Sequence, residues 1–346
     1  ERNEDYWQIA PDGEPYPYAD SIEFRPITDV VVRNQALESG DINVMHTSDG
    51  ETIGGKLKDL RDDGKINMMV SEDSAEVSFI QMNQTAPPFD DIRMRQALAM
   101  TADRNQINDI INAGLPTIAD SPFAPDSIAY VEDPGFPEYD KAKAEELIKE
   151  YVADGGKPEF TLHATNSPTV KRLAELIQQR AKAVGVTVKI VLRDQAGLIN
   201  DAIGKAYQAM LFRNYPGGDP DGLYVWFYSG TRGEDGSLSP NLVNFAGVDD
   251  PEVDRLLDEG RSETDLAERS KIYQDLCRRM ATEVYGIWSW STAWAVAVSG
   301  DVHGIVGPPL PGEDASEPGE SSTEDPARQP NRGLATGHSL IGLWIE

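Results

Sequence analysis

The sequence is short of cysteine, histidine and basic residues, and each shortage removes a class of function. Cys277 is the only cysteine in 346 residues, which excludes an intramolecular disulfide and a thiolate metal cluster. It sits in a helical pattern over residues 272–280 and reads as a buried structural thiol rather than a reactive one. Such scarcity suits an exported protein that does not depend on disulfides. The four histidines, His46, His163, His303 and His338, are scattered. None has an i, i+3 or i, i+4 partner, so the convergent ligands of a zinc site are missing. Lys and Arg total 31 against 59 Asp and Glu, a formal charge of -28. A chain this acidic repels phosphate backbones and anionic lipid surfaces, so nucleic acid is not an expected partner. No apolar run approaches the ~20 residues of a membrane span. No signal-peptide pattern opens the chain. It starts at Glu1-Arg2-Asn3, which reads as a processed or truncated N-terminus.

Nucleotide and nucleophile motifs are missing as well. There is no glycine-rich loop ending in Gly-Lys-Ser/Thr and no dinucleotide fingerprint. Gly54-Gly55-Lys56 lacks both the leading glycine spacing and the hydroxyl residue. No Gly-x-Ser-x-Gly elbow appears. No catalytic residue, metal ligand or cofactor is therefore expected.

What remains is a folded α/β chain. Hydrophobic residues make up 39%, with 6 Trp, 12 Tyr and 9 Phe, enough for a sizeable core and two or three domains. The acidity reads as solubility. Residues 21–27 alternate apolar and polar positions, which predicts a strand. Asp29 is placed to cap a helix running to Ser39, with Gly40 to stop it, and a strand over 41–45 follows. Strand patterns recur at 77–83, 160–164, 186–192 and 207–212. Helical patterns begin near Asp91 and cover 141–152, 169–184, 251–260 and 266–285. Residues 287–298 predict one long aromatic strand, with Trp288, Trp290 and Trp294 on a single face. Residues 311–332 read as a mobile acidic surface insertion, and 340–344 as a short closing strand.

Asp219 and Asp221 are the one carboxylate pair with a catalytic or calcium-binding spacing. The first acidic position of a calcium loop falls on Gly217 and no closing Glu follows, so a turn with Asp side chains bonded to their own backbone is the better reading.

Four stretches, in order along nearly the whole chain, carry a family resemblance. The first joins Asp5-Tyr6-Trp7, residues 17–27 and Ala36-Leu37-Glu38-Ser39-Gly40-Asp41-Ile42. The second runs from Phe79-Ile80-Gln81-Met82-Asn83 to Pro87-Pro88-Phe89-Asp90-Asp91-Ile92-Arg93-Met94-Arg95-Gln96-Ala97-Leu98 and Asp103-Arg104. The third is Gly218-Asp219-Pro220-Asp221, and the fourth is Asp250-Pro251-Glu252-Val253-Asp254-Arg255-Leu256-Leu257. Together they resemble the family 5 solute-binding proteins, the peptide and nickel subunits of ABC importers.

The resemblance implies a two-lobed α/β clamp of the periplasmic-binding-protein kind (type II, cluster C-like) with an incomplete N-terminal lobe. Residues 1–87 and 287–346 would belong to that lobe, and 88–286 would form the complete C-terminal lobe. It also implies an extracytoplasmic place, in the periplasm or lipid-anchored, a monomeric state, and ABC permease subunits as partners. An oligopeptide is the first expected ligand, with a nickel chelate or a sugar as alternatives. In peptide-binding members an Asp four residues before the loop proline pairs with the ligand ammonium. That count from Pro220 lands on Pro216, so the usual anchor is lost. Ligand contacts are expected from Arg213, Asn214, Tyr215 and Asp219 beyond a strand end, and from Trp226, Asn244, Trp288, Trp290 and Trp294. Asn83, Pro87 and Pro88 are expected at the hinge. Two readings of other classes compete: a hydrolase using Asp219 and Asp221, and a stand-alone module that recruits a membrane receptor.

Overall fold

The computed structural model describes residues 1–346 except 11–12, 73–75, 215–217, 234, 304–339, 341 and 346. The expected insertion at 311–332 lies outside the described residues. The chain first forms α1 (Val30–Ser39), β1 (Val44–Thr47), α2 (Gly50–Thr52), a π-helical turn (Ile53–Leu57), α3 (Lys58–Asp62) and β2 (Ile66–Ser71). It continues through β3 (Val77–Met82), α4 (Ile92–Ala99), α5 (Arg104–Asn112), α6 (Lys141–Ala153), β4 (Glu159–Thr165), α7 (Pro168–Lys182), β5 (Thr187–Arg193), α8 (Gln195–Ile203) and β6 (Ala209–Asn214). A 3-10 turn (Pro220–Leu223) leads into α9 (Tyr224–Phe227), β7 (Gly230–Arg232), β8 (Leu238–Pro240), α10 (Pro251–Ser262), α11 (Leu266–Thr282) and β9 (Gly286–Ser291). The last strands are β10 (Trp294–Ser299), β11 (Val302–His303) and β12 (Trp344–Ile345).

Two compact units result. The small unit combines Glu1–Ala75 with Ala293–Glu346, and the large unit is Glu76–Thr292. In the small unit, β10 is the centre of an antiparallel sheet ordered β1-β10-β2. The large unit holds the sheet β5-β4-β6-β3-β9, in which β4 runs parallel to β5 and β6 while β3 is antiparallel to β6 and β9. β3 is buried along its whole length, as a central strand covered on both faces must be.

Helix ends follow their capping chemistry. Asp29 accepts from the Val32 amide and Gly40 closes α1 at φ 80°, a left-handed conformation that glycine adopts without a Cβ penalty. Asp91, Asp140, Ser167 and Asp250 cap α4, α6, α7 and α10 in the same way. Cys277 is fully buried on α11, and burial pushes its thiol up to about 11. A thiol reagent at pH 8 should therefore label it only after denaturant is added; labelling of the native chain at the rate of free cysteine would contradict this environment.

Several expectations are corrected. Residues 21–27 form no strand: they have no ladder partner, and Ile22 and Phe24 are exposed. The segment is tied down by side chains instead, with Arg25 Nη1 donating to the Asp41 carbonyl and Arg33 Nη1 to the Ile27 carbonyl. The single strand over 287–298 is two strands, because β9 pairs with β3 while β10 pairs with β1 and β2. The closing strand is the two-residue β12 on β11. The unit boundaries fall at Ala75/Glu76 and Thr292/Ala293 rather than at 87/88 and 286/287, because the ladder partners of β3 and β9 lie in the large unit. Pattern reading also missed β2, α5 and α8.

Candidate functional site

The carboxyl ends of β4, β5 and β6 point the same way, and the antiparallel pairing brings the carboxyl end of β9 and the start of β3 to that edge. Val77 is opposite Asn214 on one side and Ser291 on the other. Open α/β sheets present ligands to this edge. It is also where the chain enters the large unit at Glu76 and leaves it at Thr292.

A bulge sorts the residues here onto two faces. Ser78 pairs with Trp290 but Phe79 pairs with Trp288, so Ser289 is left over. The extra residue reverses the alternation. Trp288 therefore shares a face with Phe79, while Trp290 lies on the other. Trp288 is 0% exposed and packs on Phe79 at 4.8 Å and Phe227 at 6.4 Å. Trp290 packs on Ile107 and Ile111 of α5. Trp294 belongs to the small unit and stacks on His46 at 4.4 Å. The expected three-tryptophan face does not form.

Asn214 and Ser291 lie on the Trp288 face beside Val77, and both are buried. Glu76, Ser78, Arg213 and Thr292 take the opposite face. The Ser78 and Thr292 hydroxyls are 3.2 Å apart, and Arg213 Nη1 is 3.3 Å from Glu76. Sequence reasoning missed Glu76, Ser78, Ser291 and Thr292. Of these only Ser291 closes a strand, and where β9 ends is set by its pairing with β3.

Beyond Asn214 the chain passes through Tyr215, which lies outside the described residues, to the carboxylate turn. Asp219 accepts from the Asp221 amide and receives both terminal nitrogens of Arg269 at 2.6 and 2.7 Å. The Arg269 guanidinium holds the Asp219 carboxyl below its ordinary range. Asp221 receives Arg261 at 2.8 and 3.0 Å. Arg261 in turn lies 3.5 Å over the Tyr224 ring, which stacks on Tyr228. The pair thus fastens the 3-10 turn to α10 and α11. A hydrolase needs one carboxyl to keep a proton, and Arg269 opposes that at Asp219. Removing the clamp with Arg269→Met should lower stability by only about 1 kcal/mol, since Asp219 is exposed; a urea melt reads this, and a loss several times larger would mean that the turn supports the core.

Other expected contacts prove structural. Asn244 is buried, accepts from the Gly247 and Val248 amides and donates to the Val248 and Tyr228 carbonyls. The amide expected to contact ligand is thus occupied by its own loop and the Tyr228 carbonyl. Trp226 packs between Phe212 and Phe245. Asn83 donates to the Lys205 and Tyr207 carbonyls. Asn83, Pro87 and Pro88, expected at the hinge, follow the far end of β3 from the unit boundary, inside the large unit. Among the described residues, no group of three His, Cys, Asp or Glu side chains is placed to hold a metal ion.

The model for bacterial extracellular solute-binding proteins, family 5 Middle, matches residues 1–235. The di/tripeptide-binding protein 1 of Pseudomonas aeruginosa is 30% identical over 282 residues, 79% of this chain and 48% of the relative. The glutathione-binding protein GsiB of Pectobacterium atrosepticum is 29% identical over 281 residues, 78% of this chain and 51% of the relative. The chain spans about half the length of the curated relatives it matches. Among solved structures, the Helicobacter pylori DppA complex with the peptide STSA superposes with TM-score 0.76 at 20% identity, covering 88% of this chain and 56% of that one. The Bacillus subtilis oligopeptide-binding protein AppA gives 0.71 at 20%, covering 92% and 59%. These likenesses fix the fold as the α/β fold of family 5 binding proteins. No helix among the described residues is long and apolar enough to cross a membrane. The family is one of binding proteins rather than enzymes, and this chain belongs to the bacterial extracellular solute-binding proteins of family 5.

Proposed function

We propose that this chain is the solute-capturing part of an ABC importer's binding protein, and that its solute is a short peptide or a peptide-like molecule. The observation that carries the reading is the pair of relatives with near 30% identity, whose names specify di/tripeptides and glutathione. The physical support is a strand-end edge lined by Asn214, Arg213, Ser78, Ser291 and Thr292, the kind of few fixed polar groups that orient a small ligand. The protein works outside the cytoplasm, in the periplasm or lipid-anchored, as a monomer that hands its solute to permease subunits.

A thermal-shift series with dialanine, trialanine, glutathione, nickel–histidine and mannopinic acid tests the class. A ligand at a hundred times its dissociation constant adds about 2.7 kcal/mol to the native state. The peptides or glutathione are expected to raise the melting temperature. A rise with nickel–histidine or mannopinic acid alone would overturn the peptide reading, and no rise with any of them up to about 10 mM, where Kd values of order 1 mM are visible, would overturn solute capture by this chain.

A further inference from the structure

Most buried polar side-chain atoms in a folded chain find a hydrogen-bond partner, and the exceptions need a reason. Among the described residues of the large unit, only three such atoms have none: Asn214 Oδ1, Ser291 Oγ and Trp288 Nε1. All three belong to one face of one sheet. Asn214 and Ser291 flank Val77 in register at the carboxyl edge, and Trp288 is on the same face one step deeper, opposite Phe79. Asn214 is 3% exposed, Ser291 1% and Trp288 0%. Three separate accidents would not be expected to fall on one strip of about 10 Å, the width of two strand spacings.

The described carboxylates at the start of β3 and in the turn after β6 are each engaged by arginine. Glu76 faces Arg213, Asp219 is held by Arg269, and Asp221 by Arg261. The groups left waiting are neutral: a carboxamide oxygen that accepts, a hydroxyl that does either, and an indole N–H that donates. An ammonium would find no unneutralised carboxylate among them, and burying it against neutral acceptors is costly. A neutral amide, with one N–H and one C=O, supplies the missing partners.

We infer that the large unit recognises its solute through a neutral amide group placed against Asn214 and Ser291, and not through a charged amino terminus. The inference rests on the peptide-capture reading and narrows it: the binding energy at this edge comes from an internal or blocked amide, so capping the solute's amine leaves it a ligand.

Calorimetric titration with dialanine and with N-acetyl-dialanine amide tests this, on the chain itself and on Asn214→Leu and Ser291→Ala. The blocked compound is expected to bind within about threefold of dialanine or tighter, and Asn214→Leu to weaken both by about tenfold, the equivalent of one hydrogen bond. A blocked compound at least ten times weaker than dialanine overturns the inference while leaving peptide capture standing. Binding of neither compound overturns both. Melting temperatures give a ligand-free check: with no partner to lose, Asn214→Leu is expected to melt at or above the parent temperature, and a clear fall would show that Asn214 is already satisfied inside the fold.

Discussion

Replacing Trp288 by alanine is expected to destabilise the chain by about 3–5 kcal/mol, the range for truncating a fully buried large aromatic side chain. The side chain is 0% exposed, at 4.8 Å from the Phe79 ring and 6.4 Å from Phe227. Its neighbour Gly286 is packed so closely that an added Cβ would come within 2.9 Å of both Phe79 and Trp288, so the surroundings have little room to collapse into the void. No hydrogen bond is lost, because the indole N–H has none. Trp288→Phe should therefore recover more than half of the loss by refilling the volume. Urea unfolding followed by far-ultraviolet dichroism measures both. A loss below about 1 kcal/mol for the alanine variant would mean that Trp288 does not pack in the core.

The second large effect is expected at Asp250. Its carboxylate caps α10 by accepting from the Glu252 amide at 2.9 Å, takes the Tyr285 hydroxyl at 2.6 Å and Arg279 Nε at 2.8 Å. One side chain so joins the start of α10, the last turns of α11 and the entry to β9. Asp250→Ala leaves the mostly buried Tyr285 hydroxyl unpaired and removes a cap; together these cost about 3 kcal/mol. Asp250→Asn keeps the cap and loses the charge. Burial alone would raise the Asp250 pKa, but the hydrogen bonds from Tyr285 and Arg279 hold it below its ordinary value. A carboxyl depressed in the folded state stabilises fully above its unfolded pKa and loses that contribution as pH falls through the folded value. The stability gap between the parent and Asp250→Asn should then be constant near neutrality and close below about pH 4. A gap that widens with acid would contradict the assignment.

The parts of this fold that were legible in the sequence are those with local causes. Asp29 and Gly40, Asp91, and Asp250 with Pro251 mark helix ends because a cap or a left-handed residue acts within one turn. The strand at 77–82 shows because its composition reports burial, and the one at 187–193 because apolar and polar residues alternate along it. What failed depends on distant partners. Residues 21–27 alternate like a strand, yet no ladder receives them. The bulge at Ser289, which sends Trp288 and Trp290 to opposite faces, is set by how β9 lies on β3 and leaves no mark in residue type. Asn244 looked like a ligand contact and is a loop tie, since an asparagine bonded to its own backbone has the same sequence signature as one bonded to a solute. At the site, Asn214 was singled out by its place after a strand, while Ser291 became visible only once β9 was known to stop there.

The most direct test of solute capture at the strand-end edge is amide hydrogen exchange with and without glutathione or the alanine peptide giving the largest thermal shift. Slowing is expected to concentrate at Val77, Ser78, Asn214, Ser291 and Thr292, where β3, β6 and β9 meet. Slowing centred on the opposite end of the sheet, around Asn83 and Gln84, with these five amides unchanged, would contradict it.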